Sequence, residues 1–250
     1  MQLSVLSTLK DTLVLWMQHF VFFVLLAIFL ELPESVISHR PRGDLSFYNV
    51  AKGAEGFIVP IILQAIGAAA TLSFLVRQSA DKDWIVVARG VFRYTGQLVG
   101  VQVFIALASI LVFAPAFGIF WELETAFDIS IIWVFLIEGL FVIFLKYALA
   151  NPLVVAENLK AWPALSASWR MTKNRFGYVF GCYLIFGVID GLIRDRVENL
   201  SSPYWMRPEI GLLLRLLGTY WFVLPWVMYL RIKAADEAGP VVRKVERPFG

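Results

Sequence analysis

Residues 57–76 read FIVPIILQAIGAAATLSFLV, with no charged side chain between Glu55 and Arg77. A helix of about 20 mostly apolar residues crosses the hydrocarbon core of a bilayer, because its backbone groups bond to one another where lipid offers no partner. The stretch has that length and character and predicts a membrane-spanning helix at 56–76. Five further stretches meet the same condition, at 12–31, 98–118, 129–149, 177–193 and 212–231. The one at 177–193, GYVFGCYLIFGVIDGLI, is short and rich in glycine. The expected fold class is all-α, a polytopic integral membrane protein with six transmembrane helices.

The composition leads the same way. Of the 250 residues 59% are hydrophobic and 16% charged, against about 25% charged in an ordinary soluble domain. Mean hydropathy is +0.72. A soluble fold of this size has no interior large enough for that apolar surface, and a disordered chain shows the opposite balance. Cys182 is alone, which excludes an internal disulfide or a cysteine metal cage. His19 has no second histidine at metal-ligand spacing, since the other is His39, so neither metal nor cofactor is expected. A net charge of +3 is too small to indicate nucleic acid.

Placement of the cations sets the orientation. The N-terminus, the second and fourth loops and the C-terminus hold 15 Lys and Arg residues, and the opposite loops hold 6, with Arg215 inside a span. The positive side is cytoplasmic, which puts both termini in the cytoplasm and turns the acidic loop of Glu122, Glu124 and Asp128 outward. The first apolar stretch has the length of a full span and no A-x-A-like site follows it, so an uncleaved anchor is expected. Residues 1–232 are expected to form one transmembrane domain, and 233–250 a mobile cytoplasmic tail.

An amphipathic segment precedes the first, third and fifth spans. Val5, Leu6, Leu9, Leu13 and Trp16 share one helical face opposite Ser4, Ser7, Lys10 and Asp11. Lys82, Arg89 and Arg93 lie opposite Trp84, Val87 and Val91. Trp162, Leu165, Trp169 and Phe176 form a stripe bordered by Lys160, Arg170, Lys173 and Arg175. Tryptophan and leucine beneath a cationic face mark a helix lying among lipid headgroups. Arg89, Arg93, Arg170, Lys173 and Arg175 are therefore candidate binders of anionic headgroups, and Trp84, Trp162 and Trp169 candidate interfacial anchors. A shift of 77 residues aligns Phe92-Arg93-Tyr94-Thr95 with Trp169-Arg170-Met171-Thr172 and Gly100 with Gly177. That alignment points to three repeats of interfacial helix plus two spans, at 1–76, 77–153 and 154–232, although any two amphipathic helices ahead of spans align comparably.

Glu138 and Arg215 are the candidate intramembrane polar residues. An ionised carboxylate at mid-span costs about 2.5–3.5 kcal/mol on insertion scales, so Glu138 reads either as a proton or cation site or as a protonated or hydrogen-bonded link between helices. Arg215 lies about one turn inside the outer boundary and can snorkel. Asp190 is expected to pair locally with Arg194 or Arg196. Gln64 and Gln102 fit interhelical hydrogen bonding, with the intramembrane polar groups scattered. Gly177, Gly181, Gly187 and Gly191 form two G-x-x-x-G steps, the spacing that lets helix backbones approach, and predict a central, tightly packed fifth span. Ala65, Ala69 and Ser73 make a small-residue row in the second. Pro60, Pro115 and Pro225 are expected to kink or end their helices.

No G-x-S-x-G, H-E-x-x-H or G-x-x-x-x-G-K-[ST] occurs in the chain. Between Tyr147 and Gly177 it reads YALANPLVVAENLKAWPALSASWRMTKNRFG. Tyr147, Pro152, Val154, Val155, Glu157, Ala164, Leu165, Ser168, Thr172 and Lys173 resemble the pattern of bacterial inner-membrane proteins related to the glycerophosphoryl diester phosphodiesterase membrane domain, a largely uncharacterised family. The resemblance implies the fold and a bacterial inner-membrane location. It implies no phosphodiesterase activity, since fused members carry catalysis in a separate soluble domain. From the residues themselves, Asn151-Pro152 is expected to end the fourth span, and Glu157 to cap or pair near the next helix.

The expected function is that of a non-catalytic membrane protein that organises lipid or partner proteins, such as an accessory subunit of a larger membrane complex. The alternative is a transporter of lipid or of a small amphipathic solute. Expected partners are anionic membrane lipids and either another membrane protein or a second copy.

Overall fold

The computed structural model describes residues 3–38, 47–76, 84–123, 139, 141–200 and 208–237. Its elements are α1 (Val5–Gln18), α2 (Phe20–Ser38), α3 (Phe47–Val76), α4 (Trp84–Leu123), α5 (Ala150–Ala156), α6 (Ala161–Lys173), α7 (Phe176–Leu200), α8 (Pro208–Gly218) and α9 (Tyr220–Glu237). Residues 141–147 are helical as well, and no strand occurs among the described residues. Glu138, the charged loops around Arg40 and Asp128, and the tail beyond Glu237 lie outside them, as does the Trp84 side chain.

Three described helices are long and apolar enough to cross a membrane: Ile85–Leu111, Phe176–Val197 and Leu212–Glu237. Val5–Gln18 and Phe20–Leu30 pass only as a pair bent by 80°, and make a fourth if counted as one span. The expected first span at 12–31 is therefore broken at His19. The span expected at 56–76 lies within α3, and of the one expected at 129–149 residues 129–138 and 140 lie outside the described residues, the rest falling in an apolar helix over Phe141–Ala156. No separate interfacial helix precedes 98–118, because α4 runs unbroken through residues 92–100. Its counterpart in the 77-residue shift is interrupted at Asn174, which ends α6. A lone Gly96 does not stop a helix, whereas Asn competes for backbone hydrogen bonds and favours its end.

The core is apolar, but large apolar side chains face outward as well and several hydroxyls are buried within. Leu6, Leu13, Val21, Leu25, Phe92, Leu107, Leu111, Leu184, Val188 and Leu192 are exposed, while Thr8, Thr12, Thr71, Ser168, Thr172 and Thr219 are buried. α1 shows it most directly. Thr8, Thr12 and Trp16 recur every four residues and face inward. Trp16 Nε1 donates to Thr219 Oγ1 at 2.9 Å, and Tyr220 Oη donates to the Leu9 carbonyl at 2.9 Å. Thr8 and Tyr178 share a hydrogen bond of 2.7 Å. The hydroxyls of α1 that are satisfied inside leave its apolar face free to meet lipid, while Thr71 Oγ1 on α3 is buried without a partner among the described residues.

The central helix is α9, not α7. Of the apolar window in Leu212–Glu237, 56% is buried, against 17% in Phe176–Val197. Val179, Cys182, Tyr183 and Asp190 turn inward from α7. Its glycines occupy the opposite face: a Cβ at Gly177 or Gly191 meets nothing, at Gly187 it lies 3.9 Å from Trp221, and only at Gly181 is a neighbour close, Val5 at 3.1 Å. Glycine spacing shows that a helix can be approached; it does not show that its own fold approaches it. The tight seam lies instead on α3, where the row Ala65, Ala69 and Ser73 is buried. A Cβ at Gly90 would come within 2.5 Å of Ser73 Oγ, and one at Gly67 within 2.8 Å of Phe222.

Candidate functional site

The helix over 141–156 is interrupted at Ala148 and Leu149. Such a break frees backbone groups that need partners in an apolar setting, and α6 supplies them. Ser168 Oγ accepts from the Leu149 N–H at 3.2 Å and donates to the Lys146 carbonyl at 2.9 Å. Thr172 Oγ1 reaches the same carbonyl at 3.2 Å. Pro152 does not end the span as expected. It is the third residue of α5, in the first turn, where a missing N–H is harmless. The chain then leaves α5 through Asn158, whose φ of 52° is in the left-handed region that asparagine tolerates. Arg93 donates to Asn158 Oδ1 at 3.0 Å, and the Ala161 N–H, an unpaired donor at the start of α6, donates to Gln97 Oε1 at 3.1 Å.

This joint forms one wall of a cavity of about 490 Å³ bounded also by α2, α3, α4, α7, α8 and α9. Leu30, Leu63, Ile105, Phe144 and Phe222 make its apolar surface, and Tyr147, Tyr183 and Trp221 add aromatic faces. Gln64 enters from α3, Gln102 from α4 and Asn151 from α5. Asn151 Oδ1 is buried without a hydrogen-bond partner, and neither glutamine amide has a side-chain partner among the described residues. Arg194 and Arg215 also line the cavity. The expected pairing of Asp190 is present: Arg194 Nε donates to its Oδ2 at 2.8 Å, and Trp221 Nε1 lies 3.4 Å from the same oxygen. Arg194 also lies beside Gly218, 3.9 Å from where a Cβ would stand, and Arg215 is engaged in an interaction of its own. Gln64, Gln102 and Arg215, read as scattered in the sequence, thus share one cavity, while Glu138 lies outside the described residues. The signal that could have found it is a carboxamide inside an apolar stretch, at 64 and again at 102.

The candidate headgroup binders are distributed differently. Arg89, Arg170 and Lys173 are exposed. Arg93 is hydrogen-bonded to Asn158 and also lies 5.4 Å from the ring of Tyr94. Arg175 pairs with Asp236. Trp162 and Trp169 are exposed on α6 while Ala164, Leu165 and Ser168 are buried, so the expected stripe is split, with Leu165 turned into the core. Lys146 Nζ sits 5.1 Å from the ring centres of Trp169 and Phe176. Glu157 ends α5, its N–H donating to the Leu153 carbonyl at 3.2 Å, and its side chain pairs as expected, accepting from Lys233 Nζ at 3.2 Å and from Tyr229 Oη at 2.9 Å. Arg231 pairs with Asp11 and donates to Ser7 Oγ at 2.6 Å. These contacts fasten α9 to α1, to the end of α5 and to the start of α7.

The cavity can hold a ligand by hydrogen bonding, aromatic contact and apolar contact. Comparison of the chain with protein-family models, with curated proteins and with solved structures finds no match.

Proposed function

We propose that this chain is a non-catalytic, polytopic protein of a bacterial inner membrane, with six spans and cytoplasmic termini, that organises lipid by retaining an amphipathic molecule inside its helical bundle. The observation that carries the reading is the cavity of about 490 Å³, in which unpartnered carboxamides meet apolar and aromatic walls. Its size is that of a small-molecule site, and the exposed apolar faces around it let an amphiphile arrive from the bilayer. Arg89 on α4, and Arg170 and Lys173 on α6 with Trp162 and Trp169, hold anionic lipids at the surface, each cation contributing about 1 kcal/mol there. The kinship suggested by residues 147–177 belongs to this proposal too. Ser168, Thr172 and Glu157 support it as joint-forming residues whose work is structural, whatever the cavity holds.

The transporter reading draws on one feature, the bordering of the cavity by two interrupted helices, broken at Ala148–Leu149 and at Thr219. Unaltered transport in a Glu138→Gln variant would count against it. The deciding experiment is purification from native membranes in a mild detergent, with mass spectrometry of all co-purifying lipids and proteins. A defined amphiphile at one per chain is the expected result. A stoichiometric protein partner with no bound lipid would make the chain an accessory subunit and remove the cavity from its function.

A further inference from the structure

Among the polar groups of the cavity, the cations and the carboxamides differ in what they have left to offer. Arg194 is bonded to Asp190, and Arg215 is also engaged. No carboxylate lines the cavity among the described residues, so nothing there recruits a cation. Asn151 Oδ1 is an unused acceptor, and among the described residues the Gln64 and Gln102 amides have no side-chain partner. Each carboxamide presents two N–H donors and a carbonyl acceptor. A carbonyl or ether ligand would satisfy only the donors, and an ammonium only the acceptors. A hydroxyl answers both, and neighbouring hydroxyls can answer several carboxamides from different helices.

We infer that the cavity binds the uncharged, hydroxyl-bearing headgroup of a membrane amphiphile through Gln64, Gln102 and Asn151. The inference rests on the proposed lipid-retaining function and names the headgroup that this function selects. Tyr147, Tyr183 and Trp221 offer flat faces to the C–H edges of a polyol, and Leu63, Ile105 and Phe222 continue as a path for the start of a chain. The headgroup is neutral because a net charge would stand beside Arg194, already paired with Asp190, beside Arg215, already engaged, or beside amides unable to balance it.

The test is native mass spectrometry of the full chain released from a polyoxyethylene detergent, whose headgroup carries almost no hydroxyls. Three probes share one oleoyl chain: monooleoylglycerol, monooleoyl phosphatidic acid and methyl oleate. Retention of monooleoylglycerol at one per chain, falling at least tenfold in Gln64→Leu/Gln102→Leu, is the expected result. Gln64→Leu alone, at an exposed position of α3, repeats the test with less demand on folding and should lower retention by a smaller factor. Preference for the phosphatidic acid would overturn the neutral headgroup while leaving the lipid-retaining function standing. Equal retention of monooleoylglycerol by the wild type and both variants would overturn the carboxamide assignment. Retention of no probe would overturn both readings together.

Discussion

Ser168→Ala is the sharpest probe of the joint that shapes the cavity. The Ser168 hydroxyl is fully buried and serves two backbone groups, accepting from the Leu149 N–H at 3.2 Å and donating to the Lys146 carbonyl at 2.9 Å. Its removal leaves the Leu149 N–H orphaned, at about 1–3 kcal/mol. The Lys146 carbonyl keeps Thr172 as a donor at 3.2 Å, so it adds little. Thr172→Ala spares both backbone groups while Ser168 remains and should cost about 1 kcal/mol. In the double variant the carbonyl loses its last side-chain donor, so the loss should exceed the sum of the single losses by about 1 kcal/mol. Ser166→Ala, at an exposed position of the same helix, measures the helix-propensity gain to be subtracted, about 0.5 kcal/mol. The assay is reversible unfolding in mixed micelles of rising dodecyl sulfate content, followed by tryptophan fluorescence. Ser168→Ala no more destabilised than Ser166→Ala, or strict additivity in the double variant, would refute the shared-acceptor reasoning.

The same assay separates the glycines. Gly67→Ala drives a methyl group to 2.8 Å from Phe222 and 3.1 Å from Leu30, an overpacking loss of about 1–3 kcal/mol. Gly191→Ala enters open space and should gain about 0.5–1 kcal/mol of helix propensity; the reverse order would mean the faces of α7 are misassigned. Arg170→Glu/Lys173→Glu should reduce co-purifying phosphatidylglycerol at least tenfold in low salt, with a smaller difference in high salt. Unchanged bound lipid would remove these side chains from headgroup binding. Cys182 is completely buried and should react with a water-soluble maleimide only after unfolding, as read by intact mass; rapid labelling of the folded protein would show that α7 leaves its place against α1 and α9.

Hydropathy made the apolar helices legible because each bilayer crossing needs a long uncharged run, and α4, α7 and the α8–α9 helix answer to that description. It could not show where such a run bends. The break at His19 has no proline or glycine to mark it, and the one at Ala148–Leu149 depends on hydroxyls from residues 168 and 172. Asn151-Pro152 looked like a terminus because proline disfavours helix before it, yet the interruption falls earlier and the proline starts the next turn. The ion pair of Asp190 was readable because its partner is four residues away. The cavity was not, since Gln64, Gln102 and Asn151 are brought together only by helix packing. Glycine periodicity misled for a related reason: it records a face without a side chain, while burial decides whether anything uses it.

The inward threonines of α1 carry a consequence for biogenesis. This helix leaves the ribosome before its partners: Trp16 bonds to Thr219, Leu9 to Tyr220 and Asp11 to Arg231, each more than 200 residues later. Until the last helix emerges from the ribosome, α1 has a polar stripe with nowhere to go in lipid. It must wait in the headgroup layer while later spans insert, then close over α7 and α9 as a final step. A ribosome stalled before residue 219 would leave α1 undocked, and membrane quality-control proteases would meet the unfinished chain there.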